Sequence, residues 1–279
     1  MRFIFWGSFD FAQGVLEQLV AAGLFPSALV CNPDRPAGRH GIVASPPTKT
    51  FALANGIPVL QPENINDDTL RDALARLKPE VFVVTAYAKI IPNDVLNLPH
   101  YGTIGVHPSL LPLYRGATPI QTAILNGDEK FGISIYRMDE KVDHGPVLAQ
   151  TEIGIPENER AYENCSRVLA QEGGRLLAKT LPLYCDGKIS AQEQNEGLAT
   201  YTKKITTEDG LVDVAHDDPT VVLRKIQALN PDPGAFAIID GKRTKLLAAI
   251  RENGAVVVTR ITKEGKAPSD AHIVLGAQN

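Results

Sequence analysis

Runs of consecutive apolar residues alternate with segments of helical periodicity through the first two thirds of the chain. Arg2 to Trp6 predicts a buried first strand, and Asp10 to Ala22 a helix in which Phe11, Val15, Leu16, Leu19 and Val20 recur at helical spacing. Phe25 to Cys31 supplies a second strand, Thr48 to Asn55 a short helix, Pro58 to Leu60 a short strand, and Asp67 to Leu77 a helix with Leu70, Leu74 and Leu77 on one face. Val81-Phe82-Val83-Val84 shows no alternation, which suits a strand covered on both faces in a parallel sheet. Asn93 to Leu98 and Pro119 to Asn126 read as helices on either side of a strand at Gly102 to Val106. Phe131 to Met138 and Val147 to Ile153 read as paired strands, followed by a long helix from Arg160 to Tyr184. Strand and helix in alternation predict an α/β fold with a doubly wound, mostly parallel, Rossmann-like sheet.

The pattern changes twice. Asn32-Pro33-Asp34-Arg35-Pro36-Ala37-Gly38-Arg39 is expected to break regular structure through its prolines and glycine, leaving an exposed loop up to Thr48. From Gln192 to Lys204 the chain turns polar and irregular, which places a linker at 192–205 between a domain at 1–191 and a smaller one at 206–279. Beyond it, Val221 to Leu229 predicts a short helix. Short strands follow at Ala235 to Ile239, Lys245 to Ile250, Ala255 to Ile261 and His272 to Leu275, separated by turn residues such as Asp240-Gly241 and Asn253-Gly254. That texture suggests a small antiparallel, OB-like β-barrel.

Composition narrows the setting. With 279 residues, 44% of them hydrophobic and 22% charged, the chain can bury a sizeable core. No apolar run reaches the roughly 18 residues of a membrane span, and Met1 to Trp6 turns polar at Gly7-Ser8 before a signal-peptide core can form. A cytoplasmic protein without a membrane partner is expected. Cys31, Cys165 and Cys185 show neither paired nor metal-type spacing, so neither a disulfide framework nor a metal is expected. A net charge of −4 gives no general attraction to nucleic acid, so any RNA contact must be local. Arg35, Arg39, His40 and Lys49, opposed there by Asp34 alone, are the candidates.

The candidate chemistry centres on His107. Pro108 turns the backbone directly after it, which places the imidazole at the carboxyl edge of the sheet, where ligands of open α/β folds bind. Asp143 lies in the loop Met138-Asp139-Glu140-Lys141-Val142-Asp143-His144-Gly145. A strand-end histidine with a carboxylate delivered from a distant loop can move protons near neutral pH, whereas alone it would as readily be a packing group. His144 is expected at the rim, and the donor fork of Arg115 suits an anchor for the loop after His107. Ser109 lacks the G-x-S-x-G context of a nucleophile elbow. Gly7-Ser8-Phe9-Asp10 opens the first helix, but neither a dinucleotide fingerprint nor a P-loop is present, so a structural turn is expected there.

Longer blocks are shared, in order, with one family. They are Ser8-Phe9-Asp10-Phe11-Ala12, Asn32 to Arg39, Val84 to Pro92, His107 to Gly116 with Pro119-Ile120-Gln121, Met138 to Gly145, and Asn230-Pro231-Asp232-Pro233-Gly234-Ala235-Phe236. On these the chain resembles the folate-dependent formyltransferases, and within them the methionyl-tRNA branch. The resemblance implies an amino-terminal domain for the co-substrate 10-formyltetrahydrofolate and a barrel-like domain helping to hold initiator methionyl-tRNA, in a monomer that supports translation initiation. It implies pterin-binding walls at Tyr87, Ala88, Lys89, Ile90 and Ile91 and at Glu140, Lys141 and Val142. Contacts to the acceptor are implied at Arg35, Arg39, His40, Ser109, Leu110, Leu111 and Pro112. Of the family's catalytic Asn, His and Asp, the last two match His107 and Asp143, while Gly105 stands where the asparagine is expected; Ala88 replaces a frequent glycine.

The implied reaction needs a proton acceptor for the attacking amine, support for that acceptor, and a donor for the oxyanion. His107 and Asp143 fill the first two tasks, and Gly105 carries no amide. Loss of one oxyanion donor slows an enzyme about a hundredfold without erasing catalysis. A backbone donor, an ordered water or protonated His107 are the candidate replacements. Two other functions share most of these residues: an amino-sugar N-formyltransferase, and a folate-binding relative with reduced or lost turnover. A formate-releasing hydrolase is a weaker third. Steady-state rates of Gly105→Asn against the parent separate two situations: a faster variant means that a donor is missing, and a slower one that another group already occupies its place.

Overall fold

Strands without a polar face need cover on both sides, and Phe3–Trp6 and Val81–Val84 are buried at every position. The computed structural model describes residues 1–37 and 42–276. In chain order the elements begin β1 (Phe3–Trp6), α1 (Asp10–Ala21), β2 (Ala28–Val30), β3 (Arg35–Ala37), β4 (Ile42–Ala44), α2 (Pro47–Ala54), β5 (Val59–Leu60), α3 (Asp68–Arg76), β6 (Val81–Val84), α4 (Asn93–Leu96) and β7 (Thr103–His107). They continue α5 (Pro119–Asn126), β8 (Lys130–Arg137), β9 (Val147–Gly154), α6 (Tyr162–Cys185), α7 (Pro219–Leu229), β10 (Phe236–Ile239), β11 (Lys242–Glu252), β12 (Ala255–Lys263) and β13 (Ser269–Val274).

Seven strands form one sheet in the order β5-β2-β1-β6-β7-β8-β9, parallel from β5 to β7, with β8 antiparallel to β7. The mostly parallel, Rossmann-like sheet expected from the apolar runs is present. From β1 the chain winds outward through β2 to β5, then returns to β6 and winds the other way to β7. The reversal falls between β1 and β6, so the ligand crevice of such a fold opens beyond Trp6 and Val84, one strand from the end of β7.

The chain divides into two compact units, each assembled from separated stretches. The first comprises Met1–Arg115, Gly132–Glu152 and Arg167–Thr200; the second comprises Gly116–Phe131, Ile153–Ser166 and the chain from Tyr201 on. In the first, one face of the sheet packs Trp6 and Phe82, ring centroids 5.4 Å apart, with Ile4, Val30, Leu74 and Val95. On α6, Gly173 leaves room for Val106, to which an added Cβ would come within 3.2 Å. The second unit holds the antiparallel sheet β10-β11-β12-β13, over which Val222, Leu223 and Ile226 of α7 join Leu246, Val256 and Val258 in a core. Asp218 caps α7 by accepting from the backbone N–H groups of Thr220 and Val221.

One expectation fails. The stretch Asn32 to Arg39 does not break all regular structure: β3 pairs with β4 in an antiparallel hairpin, with Arg35 opposite Ala44 and Ala37 opposite Ile42. Proline is compatible with a strand that has a free edge, and Pro36 sits in such a two-stranded ribbon.

Phe82, on β6, has no exposed surface and lies opposite Ile4 of β1. Phe82→Ala is expected to cost about 3–5 kcal/mol of stability, read as a lowered urea midpoint at unchanged slope.

Candidate active site

His107 is the last residue of β7 and is 6% exposed. The Thr85 hydroxyl donates to the carbonyl of Val106 at 2.9 Å, which ties the end of β6 to the end of β7 beside it. After Pro108 the chain folds back on itself: Leu111 N–H donates to Ser134 Oγ at 3.0 Å, and Ser134 Oγ donates to Ser109 O at 2.6 Å. Tyr114, at a φ of 59°, thereby brings its carbonyl to 2.9 Å from His107 Nε2. A carbonyl only accepts, so Nε2 carries the proton, and in the neutral ring Nδ1 keeps its lone pair. That Nδ1 lies 3.5 Å from Asp143 Oδ2.

Asp143 sits on left-handed backbone, φ 48°, two residues before a glycine that nothing larger could replace. A Cβ at Gly145 would come 1.9 Å from the carbonyl oxygen of Arg137. Gln194 Nε2 donates to the carbonyls of both Asp143 and Gly145, at 2.9 and 2.8 Å. Gln194 is in turn held by Arg115, whose Nη2 donates to Gln194 Oε1 at 2.8 Å and to Glu196 Oε1 at 2.6 Å. Arg115 is fully buried, and its hydrogen bonds hold the Glu196 carboxyl below the usual carboxylate range. Arg115 is thus the expected anchor for the loop after His107, and it also reaches the loop of Asp143. Gln194 and Glu196 were not expected in any such role; their polarity is what solvent-facing residues also show. His144 bonds Asp139 through Nδ1 at 2.6 Å rather than His107.

Gly105 lies directly opposite Tyr136 in the β7–β8 pairing, as His107 lies opposite Ser134. The tyrosine ring covers the glycine: a Cβ at Gly105 would stand 2.3 Å from Tyr136 Cε1 and 2.6 Å from Cζ. The Tyr136 hydroxyl donates to Asp143 Oδ1 at 2.7 Å. Burial first, and the charge of Asp143 second, push this phenol well above its usual value, so it stays a donor. Tyr136, Asp143 and His107 form a continuous chain of polar side chains, of which the sequence singled out the last two.

The remaining expected site residues are spread along the same sheet edge and away from it. Tyr87 packs edge-on against Trp6 at 5.4 Å, and burial pushes its hydroxyl up to about 12. Lys89 Nζ donates to the carbonyls of Pro62 and Glu63; Ile91 is buried, and Ala88 and Ile90 are exposed. Glu140 accepts from Asn93 Nδ2 at 3.2 Å, while Lys141 and Val142 are exposed. Met138 packs on the same core cluster as Tyr87, which brings the 87–93 and 138–142 stretches to one rim. Ser109 and Leu111 are buried, the Ser109 hydroxyl donating to Leu113 O, and Leu110 and Pro112 are half-buried. Arg35 is exposed and pairs with Glu63; Arg39 and His40 lie outside the described residues. A cavity of about 820 Å³ lies at the start of β7, lined by Thr103, Tyr101, Arg137 and Glu140 among others, but not by His107. Among the described residues no group of three or more His, Cys, Asp or Glu could hold a metal ion, and no helix is long and apolar enough to cross a membrane.

Residues 1–181 match the family described as formyl transferase, and residues 204–255 match the formyl transferase C-terminal domain. The chain belongs to the formyl transferase family. It is 42% identical to a methionyl-tRNA formyltransferase of Chloroflexus aurantiacus over 250 residues, which is 89% of this chain and 80% of the relative. Its fold is shared with the methionyl-tRNA formyltransferase from Clostridium thermocellum, at a TM-score of 0.61 and 17% identity over 98% of this chain and 99% of that one. It is shared also with an N-formyltransferase from Helicobacter canadensis in complex with folinic acid and dTDP-3-aminofucose, at 0.66 and 15% over 99% and 98%. Within this formyl transferase, Gln194→Ala removes the shared donor of two loop carbonyls. Formyl transfer is expected to fall about tenfold in a steady-state assay, with the circular dichroism spectrum unchanged.

Proposed function

We propose that this formyl transferase moves the formyl group of 10-formyltetrahydrofolate onto the amino group of methionyl-tRNA, in the cytoplasm and in support of translation initiation. The observation that carries the proposal is the commitment of His107 Nε2 to the Tyr114 carbonyl, which leaves Nδ1 as the basic atom beside Asp143. The amine nitrogen bonds to the formyl carbon, and His107 Nδ1 takes the proton that the amine loses. The imidazolium so formed has the Asp143 carboxylate as its counter-charge. As the carbon–N10 bond breaks, the proton passes from Nδ1 to N10, giving the formylated amine and tetrahydrofolate with no proton gained or lost overall.

Sequence identity of 42% across 89% of the chain to a methionyl-tRNA formyltransferase supports this acceptor over an amino sugar. In this reading the folate lies along the 87–91 and 138–142 rim, and the exposed Arg35 contributes to the grip on RNA.

Purified protein, supplied with 10-formyltetrahydrofolate and methionyl-tRNA, is expected to release formylmethionyl-tRNA, and His107→Ala to slow that rate by about a hundredfold or more. A His107→Ala rate equal to the parent's would overturn the mechanism. Formylation of a nucleotide-linked amino sugar in place of methionyl-tRNA would overturn the acceptor.

A further inference from the structure

The resemblance places an asparagine two residues before the catalytic histidine, and Gly105 offers no side chain there. The volume is not left open. Tyr136 fills it from the neighbouring strand, with Cε1, Cζ and Oη all closer than 3.0 Å to where a Cβ at 105 would stand. We propose that Tyr136 takes over the place of the missing asparagine and serves as the positioning residue of the formyl-transfer site, acting through Asp143. The inference rests on the transfer reading given above.

Three observations support it independently. The register sets Gly105 and Tyr136 opposite each other in an antiparallel pair, where side chains share a face and lie closest, and an aromatic ring can fold over a glycine partner. The hydroxyl ends on Asp143 Oδ1, while the other carboxylate oxygen faces His107 Nδ1, so the phenol fixes the rotation of the carboxylate about its own axis. The ring is 3% exposed and the phenol is held protonated by burial, so Tyr136 acts as a fixed donor rather than as a base.

Glycine and tyrosine are therefore one unit divided between two strands. An asparagine returned to position 105 meets a ring that is buried and bonded to Asp143 at its tip. The same asparagine beside a small residue at 136 has room for its amide. Activity at the two positions is then non-additive, each residue tolerated only with its own partner.

Steady-state kinetics of four chains test this: the parent, Tyr136→Phe, Gly105→Asn, and Gly105→Asn combined with Tyr136→Ala. Tyr136→Phe keeps the ring and loses one charge-assisted hydrogen bond, so kcat is expected to fall about tenfold or more with KM for both substrates within roughly twofold. A space-filling role alone would leave kcat where it was. Gly105→Asn is expected to be slower than the parent, and the double variant faster than Gly105→Asn by about tenfold. Parental kcat in Tyr136→Phe, or parental kcat in Gly105→Asn, would overturn the assignment of Tyr136 while leaving the transfer reading intact. A parent that formylates no methionyl-tRNA would overturn the transfer reading, and the part of Tyr136 in it, before any variant is compared.

Discussion

The register between β7 and β8 is the constraint on which the site depends. β7 is the last parallel strand, and β8 joins it antiparallel, so one set of pairings decides which side chains share the face of His107. In that register Ser134 stands opposite His107 and Tyr136 opposite Gly105. A slip by one residue would turn Ile133 and Ile135 to that face and send Tyr136 and Ser134 to the other, because strand side chains alternate. Ser134 would no longer bond the loop after His107, and no phenol would reach Asp143. The apolar positions guard against this. Ile133 and Ile135 are fully buried, and Gly173 of α6 lies against Ile133 and Val106 on their side of the sheet.

A buried cation holds the loops that the register brings together. Taking a guanidinium out of water is costly unless its donors are met, and Arg115 meets them with a carboxylate and an amide oxygen at once. Its planar fork suits that double task, which a lysine could not perform with the same geometry. Arg115 follows the residue whose carbonyl fixes the histidine tautomer, and its partner Gln194 spans the carbonyls of Asp143 and Gly145. His107 and Asp143 are thus held by one network, although they come from segments far apart in the chain.

Much of this was legible in the chain itself. Unbroken apolar runs and helical spacing located the strands and helices of the first unit to within a few residues, and the turn-separated short strands of the second are found as four antiparallel strands. His107 and Asp143 were legible because the strand end and the loop that carry them are local features, and the structure brings them together. The hairpin at β3 and β4 was not, since prolines in a free-edged ribbon look the same as prolines in a loop. The placement of Tyr136 over Gly105 and against Asp143 was invisible for a different reason: it follows from cross-strand register, which is a tertiary fact. Gln194 and Glu196 read as linker because a polar side chain looks alike whether it faces water or a buried arginine.

The backbone at Asp143 adds a consequence for anyone who would move this site elsewhere. An aspartate held at a φ of 48° rests on a conformation that costs an L-residue about 1–2 kcal/mol, and it persists only where its surroundings insist on it. Here the insistence comes from Gln194, outside the motif that contains the aspartate. The smallest transplantable form of this centre is accordingly not a peptide signature. It is an assembly of β7 with the loop after it, β8, the 138–145 turn and the 192–200 strap, and a scaffold lacking any one of the four would inherit the residues without their arrangement.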